Sequence, residues 1–169
     1  MFSSYQTSEV YDNMNIRVDD WKLNSEKNLF QIFSGRTTYY KSLVTNRAMD
    51  YVLSNGASVR KMLEGGPVIH SLKGSSLSNH LGFNGFIETS DEKFMFVFRK
   101  KGVSIGEGTY SNSVAASLKT KYALNPSSQF TMAGLENGII REIEDELGIP
   151  PETLLRDKNN ILSGPIKLI

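Results

Sequence analysis

Cysteine is absent from the chain, which excludes a disulfide framework, a thiolate nucleophile and a cysteine-based zinc site together. A reducing compartment is compatible with that. Histidine is nearly as scarce: His70 and His80 are isolated from each other, so a hydrogen-bonding role is expected of each rather than metal ligation. Charge of one sign is missing too. Nineteen Lys+Arg against eighteen Asp+Glu leave +1, too little for a global field that would favour nucleic acid or an acidic membrane surface. No apolar run approaches the roughly 18 residues of a membrane span. The opening MFSSYQTSEV carries neither the basic start nor the apolar core of a secretory signal. The expectation is a soluble, cytoplasmic protein with no nucleic-acid and no membrane partner.

What is present suffices for an ordered fold. Hydrophobic residues make up 39% and charged residues 22% of 169, with nine Phe and seven Tyr, enough for one domain, or one plus an appendage. Residues 1–35 are polar and weakly periodic, with Trp21, Leu23, Leu29, Phe30, Ile32 and Phe33 as apolar anchors, and read as a loosely structured arm docked on the body. Thr37 or Thr38 is a plausible N-cap for a helix from about Tyr39 to Leu53, carrying Tyr40, Leu43, Val44, Ala48, Tyr51 and Val52 at helical spacing and stopped by Gly56. A short helix is expected over Ser58 to Glu64, halted by Gly65-Gly66-Pro67. The Phe-, Ile- and Val-rich runs Phe83 to Thr89 and Phe94 to Arg99, separated by Ser90-Asp91-Glu92-Lys93, predict a β-hairpin, and Ser113 to Ser117 a short strand. Leu118 to Phe130 reads as a connection, and a helix then ends at Leu147 with Gly148 as its stop. Pro165 to Ile169 is apolar enough to begin a strand.

Near-zero net charge hides a local excess. From Glu136 to Asp157 the chain is −5, and the remainder is +6. Within that stretch Ile139, Ile140, Ile143 and Leu147 form one helical stripe, and Glu142, Asp145 and Glu146 at i, i+3 and i+4 share its flank. Like charges so spaced cost a helix roughly 0.2–0.5 kcal/mol per pair unless a cation offsets them. Three oxygen donors on one ridge suit a hard ion, Mg2+ or Mn2+. Arg141 stands beside Glu142 and four residues before Asp145, where it could orient a ligand. The plain alternative is a solvated helix face.

The order of residues separates these readings. Arg141-Glu142-Ile143-x-Asp145-Glu146-x-Gly148-Ile149 resembles the second half of the Nudix box, Gly-x5-Glu-x7-Arg-Glu-U-x-Glu-Glu-x-Gly-U, where U is a bulky aliphatic residue. Over residues 127–149 six of nine fixed positions agree and Asp145 keeps the charge of a seventh, while Ser127 and Ala133 stand where the family has Gly and Glu. The hairpin ending in Arg99-Lys100-Lys101 and the strand after it look like the elements that precede the box.

This resemblance, over roughly Gly82 to Ile169, implies an α+β fold of the Nudix type: an α/β/α sandwich with a mixed sheet. The division expected is 1–78, an N-terminal arm and helical region, and 79–169, a Nudix-like domain cut short at its C terminus. It implies a Mg2+- or Mn2+-dependent hydrolase that cleaves the pyrophosphate bond of a nucleoside diphosphate linked to another moiety. Carried over by position, Glu142, Asp145 and Glu146 are metal ligands, and Arg141, which positions Glu142, belongs with Glu142 and Glu146 to the catalytic set. Arg99 and Lys101, at the end of a strand, are candidate contacts for substrate phosphate; Lys119 and Lys121 are weaker ones. The alternative is a catalytically lapsed nucleotide-binding or regulatory module, favoured by the altered first half of the box. Ser113 and Ser117 lack a nearby His-Asp arrangement for nucleophilic catalysis, and Gly102-x3-Gly106-x-Gly108 is not a phosphate-loop signature. The helix near Tyr39 leaves three roles open: homodimer contact, substrate lid and accessory helix.

Overall fold

A computed structural model describes residues 13–102 and 106–154. The expected strand at Pro165 to Ile169 lies outside the described residues. Helices and strands are mixed along the chain.

Within the expected arm, the described residues from 14 onward form strands rather than a loose segment. β1 (Met14–Asn24) and β2 (Leu29–Thr38) form an antiparallel hairpin in register from Met14↔Thr38 to Asn24↔Leu29. Its turn places Asn28 at φ 46, a left-handed conformation that Asn tolerates. The apolar anchors do not dock on the body. Trp21, Leu23, Phe30 and Ile32 fall on one face of the outer hairpin, cross-strand neighbours of one another, and remain 36–60% exposed. Trp21 packs on Phe30 with centroids 6.0 Å apart. Sequence alternation was obscured by a register shift between Val18 and Asp20, which breaks the period of two that identifies a strand.

The inner half of β1 enters the core. The backbone N–H of Ile16 donates to the Leu118 carbonyl at 2.9 Å, that of Leu118 to Leu81 at 2.9 Å, and that of Leu81 back to Ile16 at 2.8 Å. Three distant segments thereby close a ring of main-chain bonds around Ile16, which is fully buried. Beside it, the Arg17 guanidinium pairs with Asp19 and donates to the carbonyls of Leu72 and Ser75, 2.8 Å each, tying that loop to the strand.

α1 (Tyr39–Val44) starts as expected, with the Thr38 side chain accepting from Lys41 N–H at 3.1 Å, but stops nine residues short of Leu53. Local polar chemistry explains the early end. Thr45 Oγ1 donates to the Lys41 carbonyl at 2.6 Å and, with Asn46 Oδ1, accepts from the buried Ser78 N–H. Side chains that bond the backbone compete with helix continuation. α2 (Val59–Leu63) has its expected cap, Ser58 accepting from Lys61 N–H at 3.1 Å.

β3 (Gly82–Gly85) pairs antiparallel with β6 (Val114–Ser117), and β4 (Val97–Phe98) with β5 (Tyr110–Ser111). The predicted hairpin is closed by backbone bonds Thr89 to Lys93 and Met95 to Ile87, both 2.9 Å. Ser113, set aside as a nucleophile, is a fastener here, accepting from Ile87 N–H at 2.8 Å and donating to the Met95 carbonyl. Phe86, Phe94, Phe96, Phe98 and Tyr110 stay 55–72% exposed, stacked edge-on at 5.3–6.2 Å. The residues expected to connect strand and helix include α3 (Thr120–Ala123) and a tight turn over 125–129.

α4 (Met132–Leu147) is capped by Thr131, whose hydroxyl accepts from Gly134 N–H at 3.1 Å, and ends on Gly148 at φ 66. The left-handed stop falls where the sequence placed it. Ile139 and Ile143 join Ile16, Val114, Leu118 and Ala123 in one core, with Leu147 partly buried against it. The stripe is the buried face.

Candidate functional site

The carboxylates of α4 divide between two neighbours. Glu142 is 1% exposed, because its place on the helix turns it inward beside Ile139 and Ile143, toward Leu118 and the start of α3. Its Oε2 accepts from Lys119 Nζ at 2.8 Å, and the same ammonium donates to Asp145 Oδ2 at 2.9 Å. Tyr122 Oη, on α3, donates to Asp145 at 3.2 Å. Lys119 is positioned by its chain neighbours: it is the N-cap residue of α3 and bridges Asn15 of β1, so its backbone is held while the side chain reaches across to α4.

Burial raises the pKa of Glu142, and the Lys119 hydrogen bond and charge only partly oppose it. The Lys119 hydrogen bond holds Asp145 below the usual carboxylate range. For Lys119 burial acts downward, but hydrogen bonds to both carboxylates outweigh it and the ammonium is raised. Glu142 Oε1 is buried with no hydrogen-bond partner. An orphaned carboxylate oxygen is costly, and it is what a further donor, or a cation in place of the ammonium, would complete.

Glu146 takes no part in the Lys119 pair. With Leu147 of α4 it lines a cleft of about 110 Å³ whose other walls include Val97, Arg99, Ser111 and Asn112. That is room for a phosphate-sized group, far short of the several hundred Å³ of a site that swallows a nucleotide. Arg99, the candidate phosphate contact, is thus brought to the same cleft as Glu146, while Lys101 lies in an exposed turn outside its walls.

Arg141 does not turn to Glu142. Its guanidinium donates to Glu144 Oε2 at 2.7 Å, with both side chains at least 40% exposed. Exposed i, i+3 pairs contribute little. Glu144→Gln is therefore expected to change the unfolding free energy from urea titration by no more than about 0.5 kcal/mol and to leave divalent-ion binding unchanged; a change in Mn2+ affinity as large as that of Glu146→Gln would contradict the separation of Glu144 from the ridge.

In its donors the ridge fits a hard divalent cation: three carboxylates on one helix flank, one with a buried oxygen left over. In position it is held by an internal cation. Among the described residues no group of three Asp, Glu or His side chains stands ready to hold a metal. His70 and His80 play no part: His70 Nδ1 lies 3.0 Å from Glu64, and burial lowers the pKa of His80. Sequence reasoning passed over Lys119 as the counter-charge of the ridge. The available signal was the acidic trio itself, which required a cation without saying which.

No family model, curated protein or solved structure matches this chain. The Nudix resemblance rests on the order of residues over 127–149.

Proposed function

We propose that this chain is a Mg2+-dependent hydrolase that cleaves the pyrophosphate bond of a nucleoside diphosphate linked to another moiety. The observation that carries the reading is that Glu146 and Arg99 line one phosphate-sized cleft, next to the two further carboxylates of the same helix flank. Glu142, Asp145 and Glu146 would hold the metal, which supplies Lewis-acid polarisation and a water of lowered pKa. Arg99 binds a phosphate oxygen by charge-assisted hydrogen bonds. Buried Glu142 fixes the edge of the site against α3, and the core behind Ile139 and Ile143 keeps α4 rigid, which electrostatic stabilisation of a developing charge requires. The small cleft grips phosphate and leaves the nucleoside to the surface around it.

Lys119 favours a second reading, a nucleotide-binding module without turnover, because its ammonium already pairs with two of the three carboxylates. One experiment separates the two. Nucleoside diphosphate sugars, dinucleotides and nucleoside triphosphates are incubated with the protein, with and without Mg2+, and both product and binding are measured. The hydrolase reading expects Mg2+-dependent turnover that Glu146→Gln lowers about 10²-fold. Binding without turnover, unaffected by Glu146→Gln, supports the module; neither turnover nor binding sinks both.

A further inference from the structure

We propose that Lys119 is the resident cation of the carboxylate ridge and excludes a divalent metal from Glu142 and Asp145 while it stays seated, so that metal enters only as the ammonium leaves. The inference rests on the reading of the ridge as a metal site and adds to it the residue that controls access.

Geometry carries it. One ammonium bridges the two carboxylates at 2.8 and 2.9 Å, occupying the space in which an ion shared by the same oxygens would lie. Glu142 is 1% and Lys119 19% exposed, so little water screens a dication from the ammonium, and the two cations repel at close range. Charge counting agrees. Glu142 and Asp145 together carry −2, Lys119 leaves −1, and only its departure restores the full charge that attracts a hard dication. Glu142 Oε1, buried and unpartnered, is an oxygen the lysine does not satisfy and an added cation would.

Departure is feasible for the side chain alone. The backbone at 119 is held by the Asn15 bridge and by buried Leu118, while four methylenes give the ammonium a swing of several ångströms. Asp145 is 38% exposed, so the outer side of the pair opens to solvent and offers the way out.

The test is a Mn2+ titration of the whole chain, read from the electron-paramagnetic signal of free Mn2+, on the wild type, Lys119→Gln, Lys119→Arg and the double variant Lys119→Gln/Glu142→Gln. Gln keeps a hydrogen-bond donor against Glu142 without the charge. Lys119→Gln is expected to bind Mn2+ at least about tenfold tighter than the wild type, and its melting temperature to rise with Mn2+ by mass action. Lys119→Arg should stay as weak as the wild type, and the double variant should lose the gain. A Lys119→Gln affinity no higher than wild type, an equal gain in Lys119→Arg, or a gain that survives Glu142→Gln each overturns the proposal.

A second measurement needs no variant. In wild-type protein labelled at lysine Cε, saturating Mg2+ should move the Lys119 resonance to the position of exposed lysines; Mg2+ binding without that shift, or no Mg2+ binding at all, overturns the proposal. No nucleotide is present in either measurement, so the hydrolase reading can fail on its panel while the lysine effect stands. A hydrolase with no effect at Lys119 is equally distinguishable.

Discussion

Lys119→Met is expected to destabilise the protein by about 2–4 kcal/mol at pH 7, seen as a lower urea midpoint at unchanged slope. The size follows from what is left behind. Glu142 is 1% exposed, and removing one partner of a buried pair strands the other charge. The loss has a ceiling, since Glu142 can take up a proton. Protonating an ordinary glutamate at pH 7 costs about 3.7 kcal/mol, at about 1.4 kcal/mol per pH unit. Asp145 adds less, because solvent reaches it.

The pH dependence has a definite sign. Burial already raises Glu142, and without the ammonium nothing nearby pulls it down, so in the variant it rises further. A carboxyl whose folded pKa lies above its unfolded value binds more protons in the native state, so stability falls as pH rises through that window. The deficit of Lys119→Met relative to wild type should therefore be largest at about pH 8 and shrink toward the ordinary carboxylate range. Asp145 works the opposite way in the wild type: Lys119 depresses its pKa, so its stabilisation is present above the usual aspartate range and fades as pH falls through the depressed value. Lys119→Met/Glu142→Gln should recover at least half of the loss, because no buried charge remains to be stranded. A deficit independent of pH, or no recovery in the double variant, would show that Lys119 stabilises by packing its stem rather than by charge.

Gly134→Val is expected to cost more still, about 4 kcal/mol or above, and to lower the helix signal in circular dichroism at room temperature. Gly134 lies in the first turn of α4 against α3, and any Cβ there would collide with the backbone carbonyl oxygen of Ala123. A carbonyl fixed in α3 cannot yield as a side-chain tip can. The cap suffers as well, since Gly134 N–H is the donor to Thr131. Relief requires α4 to lift from α3, which separates Lys119 and Tyr122 from Glu142 and Asp145. Gly138→Ala is the milder control. Its Cβ would meet the Leu118 Cδ2 methyl at 3.0 Å and the Ala123 Cβ at 3.6 Å, contacts that rotation of Leu118 relieves at about 1–2 kcal/mol. Equal stability of Gly134→Val and Gly138→Ala would mean that the close approach of the two helices is not what positions the site.

Local signals fixed in short stretches of sequence were legible. The Thr38 and Ser58 caps, the stop at Gly148, the small-residue strand near Val114 and the stripe Ile139-Ile140-Ile143 each depend on residues within a few positions of one another. So does the placing of Glu142, Asp145 and Glu146 on one flank, which helical geometry alone dictates.

Tertiary structure decided the rest. Residues 14–24 became a strand because the pairing of β1 with β2 and the ring of main-chain bonds at Ile16 reward an extended backbone, and no local pattern announces a partner a hundred residues away. The Phe-rich runs had the composition of core, yet Phe94, Phe96 and Phe98 remain largely exposed, while smaller Leu118 and Ala123 are wholly buried. Which face of a strand is covered depends on where a helix packs, and composition does not record that. The site followed the same division. The three carboxylates were visible as a group, but their separation was not: Glu142 and Asp145 meet Lys119 twenty-three and twenty-six residues upstream, and Glu146 lines a cleft whose walls also include Arg99. A helix sets the spacing of charges on its own surface, and only the chain packed against it decides what each one faces.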